Sequence, residues 1–216
     1  MTTALIVYGG YAKHEPRDTS ELVAGILTDE GFTVTLSDTL DSFCDSDLLR
    51  SFDLIVPNWS VDTISDDQAN GLAQAIEAGA NLASWHGGLT TLKHAATSLL
   101  IGGQFLIHPG GIIDYPVHIT AHDDPITAGL DDFVMRSEQY YMHVDPTNTV
   151  LATTTFSGEH LAWIAGTVMP VVWTRHWGQG RVFYSALGHN VADFDIPQVT
   201  EMLRRGMLWA TGKALS

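Results

Sequence analysis

The chain has 216 residues, of which 45% are hydrophobic and 16% are charged, a composition that predicts a globular protein and excludes a disordered one. Acidic residues number 25 and basic residues 10, so the formal net charge is −15. A surface with that charge repels phosphate backbones and anionic lipids, and we therefore expect neither nucleic acid nor a membrane as a partner. The length favours one domain that covers residues 1–216.

The first half of the chain predicts strands that alternate with helices. Residues 4–8 form an apolar run that is typical of a strand buried on both faces, and further strands are expected at 32–36, 53–57 and 81–85. Helical patterns cover residues 17–30 and 89–100, and a capping box at Ser65 begins another helix that ends before Gly79. This alternation predicts a parallel central sheet with helices on both faces.

The second half predicts strands with few helices between them, at residues 115–120, 133–138 and 150–156. Two more strands, at 170–175 and 181–185, flank a Gly-Gln-Gly sequence, which predicts an antiparallel hairpin. A last amphipathic helix is expected over residues 197–210. The fold class is therefore α/β, with a mostly parallel sheet and an extra antiparallel hairpin in the second half.

Histidine is the unusual residue of this sequence, because its ten copies equal Lys and Arg together. Imidazole ligates metals and transfers protons near neutral pH, so the histidines mark where chemistry is expected.

The single cysteine, Cys44, excludes an intrachain disulfide, and its acidic neighbours make it a poor nucleophile. Neither a dinucleotide glycine pattern nor a phosphate-loop lysine is present, and we expect no nucleotide or flavin. The N-terminus resembles no signal peptide and no apolar run is long enough to span a membrane, so we expect a cytoplasmic protein.

Ligands of open parallel sheets bind beyond the carboxyl ends of the strands. Several notable residues are expected there, namely Gly10 with His14 just beyond it, Trp59, His86 with Gly87, and His189. His86 occupies a strand-to-helix elbow, a place where other enzymes hold a Ser or Cys nucleophile. An imidazole at that position acts as a base, an acid or a metal ligand. The alternative is a glycine-rich turn in which His86 only bonds the backbone.

Two further segments carry candidate site residues. Residues 102–111 contain four glycines together with Gln104 and His108, which fits a loop that folds over a site or, alternatively, an ordinary surface loop. If residues 138–143 are extended, Glu138 and Tyr140 lie on one face and Tyr141 lies on the other. A Glu and a Tyr that point into a cleft bind sugar hydroxyls or a metal, but a strand with an aromatic core face is equally consistent with the pattern.

Five segments together resemble the ThuA-like (trehalose utilisation) family, whose fold is similar to flavodoxin and to the class I glutamine amidotransferases. They are residues 83–88, 102–109, 124–130, 137–141 and 170–189. The resemblance implies a small cleft for a sugar or keto-sugar and a divalent metal such as zinc. It also implies sugar catabolism, beside oxidoreductases that make 3-keto sugars. Because His86 stands where true amidotransferases have Cys, glutamine hydrolysis through a thioester is not expected.

The leading hypothesis is an enzyme that removes the proton next to the ketone of a 3-keto-glycoside, followed by elimination and hydration or by isomerisation. His86, His189 and Glu138 are the expected catalytic residues, and a metal would be held by His86, His108, Glu138 and His189. The expected substrate contacts are Gly10, Trp59, Gly87, Gln104, His108, Tyr140 and Tyr141. One alternative is an inactive amidotransferase-like module that binds a sugar or a protein, and another is a hydrolase that uses metal-bound water. A homo-oligomer is left open.

Overall fold

The structure is a computed structural model, and it describes residues 1–215. The strands are β1 (Thr2–Gly10), β2 (Phe32–Ser37), β3 (Leu54–Ser60), β4 (Asn81–Trp85), β5 (Gly103–Ile107), β6 (Ile112–Ile119), β7 (Phe133–Glu138), β8 (Tyr141–Val144), β9 (Thr149–Thr155), β10 (Val168–Trp177) and β11 (Gly180–Ser185). The α-helices are α1 (Pro16–Asp29), α2 (Ser46–Arg50), α3 (Asp66–Glu77), α4 (Ala95–Ile101) and α5 (Pro197–Thr211).

Nine of the strands form one sheet, in the order β2-β1-β3-β4-β11-β10-β9-β6-β7. The first five strands of that order pair in parallel, and the remaining pairs are antiparallel. The predicted α/β class and the β10–β11 hairpin are confirmed. The antiparallel part is larger than one hairpin, because β9, β6 and β7 continue the sheet beyond β10. The strands β5 and β8 pair only with each other in a separate antiparallel ribbon.

The parallel half forms where the sequence has its apolar runs. Ala4, Ile6 and Val7 of β1 are fully buried, as expected for a strand covered on both faces. Helix α3 begins with the predicted capping box, in which Ser65 Oγ accepts from the Gln68 amide and Gln68 Oε1 accepts from the Ser65 amide. Local sequence signals and tertiary burial therefore agree in this half of the chain.

The helix predicted over residues 89–100 is wrong in its first half. Left-handed backbone at His86, Leu89 and Lys93, with φ of 48°, 59° and 53°, breaks regular structure before α4. Helix α4 then starts after His94, whose Nδ1 accepts from the Ala96 amide. The spacing of Leu89 and Leu92 indicated a helix, but the chain uses this segment for a turn directly after β4.

The predicted loop at residues 102–111 is also wrong, because residues 103–107 form β5. Glycines at both ends of this strand suggested a loop, but they have local roles. Gly102 ends α4 with a φ of +79°, and Gly110 and Gly111 turn the chain towards β6 with φ of +90° and +69°. Residues 138–143 do not form one extended segment, because the chain is interrupted between β7 and β8, where Gln139 and its neighbour Tyr140 are both buried.

Within the described residues, no helix combines the length and the apolar character that a membrane crossing requires.

Close packing of α5 on the sheet gives a testable prediction. A Cβ at Gly206 would lie 2.4 Å from Cδ2 of the Phe183 ring in β11, so Gly206→Ala forces the helix away from the sheet. We expect a loss of about 1–3 kcal/mol in the free energy of unfolding, measured by urea denaturation. The matched control is Gly25→Ala in α1, where, apart from the adjacent residues and the backbone of the helix itself, no described atom lies within 4 Å of the added Cβ. There the gain in helix propensity should stabilise the protein by about 0.5–1 kcal/mol. Equal effects of the two substitutions would contradict this account.

Candidate functional site

Four ionisable side chains from four separate segments meet at the ends of strands. His14 lies in the turn after β1, His86 directly follows β4, Glu138 is the last residue of β7, and His189 follows β11. One nitrogen or carboxylate oxygen from each residue lies within 4.8 Å of those of the other three. The topology therefore assembles three imidazoles and one carboxylate that are far apart in sequence.

His86 is held by its backbone in the elbow that follows β4. Its φ of 48° is an unfavourable backbone conformation for a residue with a Cβ, so contacts with the surrounding residues must stabilise it. The carbonyl oxygen of His86 accepts from Tyr184 Oη at 2.5 Å and from Thr90 Oγ1 at 3.1 Å, and its amide donates to the Ser185 carbonyl at 2.7 Å. These bonds fix the direction in which the buried His86 ring points.

The ring nitrogens of His86 have different roles. Nδ1 lies 3.1 Å from the Ala186 carbonyl oxygen, which can only accept, so Nδ1 carries the hydrogen in the neutral ring. The lone pair then lies on Nε2, which faces the hydroxyl of Tyr140 at 2.7 Å, Nδ1 of His189 at 3.1 Å and Oε2 of Glu138 at 3.3 Å. The most buried imidazole of the site thus presents a lone pair to the cluster.

The charge states of the site follow from burial and from the mutual contacts of its members. Burial, aided by His86 and His189, lowers the pKa of His14 to about 3, and burial also lowers the pKa of His86. Burial alone would raise the pKa of Glu138, but the neighbouring imidazoles, His189 foremost and then His86, outweigh burial and hold that pKa well below its usual range. Burial likewise opposes the charged form of His189, yet its bond to Glu138 raises the pKa. Near neutral pH, Glu138 is therefore ionised, whereas His14 and His86 are neutral.

A cavity of about 390 Å³ opens over the cluster, a size within the range of small-molecule sites. Its lining consists of Tyr11, His14, Val61, Thr91, Phe105, His108, Glu138 and Tyr140. The side chain of His108 is 39% exposed, and its Nε2 lies 3.7 Å from Oε1 of Glu138, the oxygen that the other contacts of Glu138 do not use. Among the described residues, Nδ1 of His108 has no hydrogen-bond partner. His108 is thus an accessible imidazole next to a carboxylate.

The structure brings five of the predicted site residues together, namely His86, Glu138, His189, His108 and Tyr140. Two predicted glycines lie behind the cluster. A Cβ at Gly87 would be 2.7 Å from Cβ of Ser60 and 3.1 Å from Cε1 of His14, and a Cβ at Gly10 would be 2.0 Å from the Ser60 carbonyl oxygen. These glycines allow close packing around His14.

Besides these two glycines, three predicted substrate residues lie outside the cavity lining. Trp59 donates to Asp62 through its indole N–H, and Tyr141 packs on Phe156 and Trp163. Gln104 lines a different cavity, because successive residues of a strand face opposite sides and its neighbour Phe105 faces the histidine cluster. Tyr141 begins β8, whereas Tyr140 lies in the interruption before that strand and lines the cavity. The structure therefore does not support these three as contacts of a ligand in the cavity.

Sequence reasoning missed the role of His14. The predicted metal set contained His108, whereas the structure groups His14 with His86, Glu138 and His189. The available signal was the position of His14 just after Gly9 and Gly10, at the same edge of the sheet as His86. Nδ1 of His14 lies 2.7 Å from Ser60 Oγ, which leaves the other ring nitrogen free of that bond.

The residues present fit a divalent cation. Three imidazole nitrogens and one carboxylate oxygen form a donor set that zinc and related metals favour, and the tautomer of His86 directs a lone pair to the shared point. The hydrogen bond from a histidine ring to a backbone carbonyl is the support that metal-ligating histidines usually have. His108 and Tyr140 remain outside this donor set and face the cavity.

A known protein family matches almost the whole chain. The family model named ThuA, described as trehalose utilisation, matches residues 3–210. The chain therefore belongs to the ThuA family, and this membership associates it with sugar metabolism.

Solved structures agree with this assignment at the level of the fold. A ThuA-like protein from Bacteroides uniformis has a TM-score of 0.80 at 16% identity, over 97% of this chain and 91% of that chain. A ThuA-like protein from Parabacteroides merdae has a TM-score of 0.78 at 17% identity, over 100% and 92%. A β-galactosidase from Bacillus circulans matches 97% of this chain with 30% of its own, at 12% identity and a TM-score of 0.59. No curated protein matches the sequence significantly.

Proposed function

We propose that this chain is an enzyme of sugar catabolism that removes the proton next to the ketone of a 3-keto-glycoside. The observation that carries this proposal is the cluster of His14, His86, Glu138 and His189 at the base of a cavity that also exposes His108. Proton removal from carbon requires a neutral base near the substrate and a positive centre near the carbonyl oxygen. The cavity offers the base, and the cluster offers a place for the positive centre.

His108 is the residue best placed to act as the base. It is the most exposed of the imidazoles near the carboxylate, while His86, with 3% of its side chain exposed, lies too deep to reach a substrate. The lone pair of His108 would take the proton from the carbon between the ketone and the anomeric carbon. The electrons of that C–H bond form an enolate, and the enolate expels the glycosidic oxygen.

The remaining steps return the proton and consume one water. The protonated His108 gives its proton to the departing oxygen, which leaves as an alcohol, and an enone remains in the cavity. Water then adds to the former anomeric carbon, while a proton returns to its neighbour, so that the net reaction is hydrolysis of the glycoside. An isomerisation would begin with the same proton removal, and the products distinguish the two outcomes.

The other residues of the site would hold a cation, donate a hydrogen bond or orient the proposed base. His14, His86, Glu138 and His189 would hold a divalent cation, which when bound supplies a Lewis acid for the ketone oxygen. Burial raises the pKa of Tyr140 well above its ordinary value, so its hydroxyl keeps its proton and remains a hydrogen-bond donor at the wall of the cavity. Phe105 stacks against His108, with 26° between the rings, and restricts the orientation of the proposed base.

The test uses purified protein with zinc, 3-keto-trehalose and trehalose in deuterated water. We expect release of glucose and 3-keto-glucose from the oxidised sugar, with deuterium at the carbon next to the ketone, and no reaction of trehalose. The control is the same protein after chelator treatment and again after zinc is restored. Equal hydrolysis of trehalose would indicate a hydrolase that needs no ketone. Binding of both sugars without turnover would indicate a binding module, and either result contradicts the proposal.

A further inference from the structure

Asp193 is a buried carboxylate that lies outside the cation-binding cluster but contacts two of the segments that carry it. It is only 6% exposed and lies in a short 3-10 helix between β11 and α5. Its Oδ2 accepts a hydrogen bond from the backbone amide of His189 at 2.8 Å. The same oxygen accepts from the hydroxyl of Ser137 at 2.7 Å, and Ser137 directly precedes Glu138.

The sheet itself does not hold these two segments together. His189 follows β11, whereas Glu138 ends β7, and the strands β10, β9 and β6 lie between β11 and β7 in the sheet order. The hydrogen bonds between neighbouring strands therefore do not fix the distance between His189 and Glu138, and other contacts must set it. A single carboxylate oxygen that accepts hydrogen bonds from both segments, at 2.7 and 2.8 Å, ties them to one point.

We propose that Asp193 is a positioning residue that holds His189 and Glu138 at the separation needed to bind a cation. The inference rests on the proposed function, because it assigns a purpose to the geometry of that site. The relevant distance is the 3.5 Å between Nδ1 of His189 and Oε2 of Glu138. Outer-shell partners of this kind orient ligands, and their loss weakens metal affinity without removing any ligand.

Two substitutions of Asp193 distinguish the effect of its hydrogen bonds from the effect of its charge. Because both hydrogen bonds go to the same oxygen, the side-chain oxygen of Asp193→Asn can accept both, while Asp193→Ala removes both. We expect zinc affinity, measured by chelator competition, to fall about 10–100-fold in Asp193→Ala and to stay within about threefold of the parent in Asp193→Asn. Zinc affinity in Asp193→Ala within threefold of the parent would overturn the proposal, as would equal losses in both variants.

A second variant keeps the proposal testable if Asp193→Ala fails to fold. Ser137→Ala removes one of the two hydrogen bonds and leaves the carboxylate in place, so its loss of zinc affinity should lie between those of the two Asp193 variants. Full affinity in Ser137→Ala would count against the proposal. The matched control is Asp132→Asn, since Asp132 also accepts from a backbone amide, that of Ile119, but lies on the exposed surface. Its zinc affinity should equal that of the parent.

Amide hydrogen exchange in the zinc-free protein tests the role of Asp193 independently of the proposed function. In the zinc-free protein, the amide of His189 should exchange its hydrogen slowly, at a similar rate in Asp193→Asn and at least about tenfold faster in Asp193→Ala. If the parent binds no zinc, the cation site of the proposed function fails, and the exchange rates still show whether Asp193 holds the His189 segment. If the parent binds zinc but exchange at His189 is the same in all variants, the inference about Asp193 alone fails.

Discussion

Replacing Glu138 with glutamine is expected to lower zinc affinity by more than about 100-fold and to abolish turnover of a 3-keto-glycoside. Glu138 supplies the only negative charge of the four-residue cluster, and its Oε2 lies 3.3 Å from Nε2 of His86 and 3.5 Å from Nδ1 of His189. Glutamine has nearly the same shape, so the cavity should be preserved. Its neutral amide, however, offers a much weaker ligand than a carboxylate.

The measurement combines zinc titration by calorimetry with a turnover assay. The control is Glu21→Gln, which removes an exposed carboxylate that pairs with Arg17 on α1, far from the cluster. This variant should match the parent in both assays. Parent-like zinc affinity in Glu138→Gln would show that the cation, if bound at all, lies elsewhere, and the assignment of the site would have to be abandoned.

The second large effect concerns His108. We expect His108→Ala to lower turnover by about 10²–10⁴-fold, the usual contribution of a positioned acid or base, while zinc affinity remains that of the parent. His108 faces Oε1 of Glu138 at 3.7 Å, on the side of the carboxylate away from the other histidines. It therefore lies beside the cation-binding cluster without belonging to it.

The matched control for this substitution is His143→Ala. His143 lies on β8 and lines the other cavity together with Gln104, so its loss should affect neither zinc binding nor turnover. Loss of zinc affinity in His108→Ala would instead place His108 among the ligands, as the sequence first suggested. Unchanged turnover would exclude it as the base. The pair of Glu138→Gln and His108→Ala thus separates cation binding from proton transfer.

Some residues of this site can be predicted from local sequence patterns, whereas others depend on the pairing of distant segments. His86, His189 and Glu138 follow or end predicted strands, and strand ends can be recognised from apolar runs and glycines alone. Gln104 and Tyr141 depend on which side of a strand faces the cavity, and this is fixed only by the pairing of β5 with β8 in a separate ribbon. No local signal reveals that pairing, because it joins residues about forty positions apart.

Two other differences between sequence and structure have different causes, one local and one long-range. The turn between β4 and α4 contains Leu89 and Leu92, which have good helix propensity, but left-handed backbone at His86 and Leu89 overrides it. His14 was visible at the correct edge, yet its proximity to Glu138 depends on β7, which reaches the site through the antiparallel extension of the sheet. Long-range topology thus places His14 in the cluster and places Gln104 and Tyr141 outside the cavity lining.

The small ribbon of β5 and β8 has an evolutionary consequence. It bears Phe105 and leads into His108, yet it lies outside the ladder of the nine-stranded sheet. Insertions or substitutions in the connection from β5 to β6, between Ile107 and Ile112, would remodel the cavity wall at His108 without changing a strand of the large sheet. We therefore expect family members that accept substrates of different size to diverge in this ribbon, while the histidines at the strand termini stay constant across them.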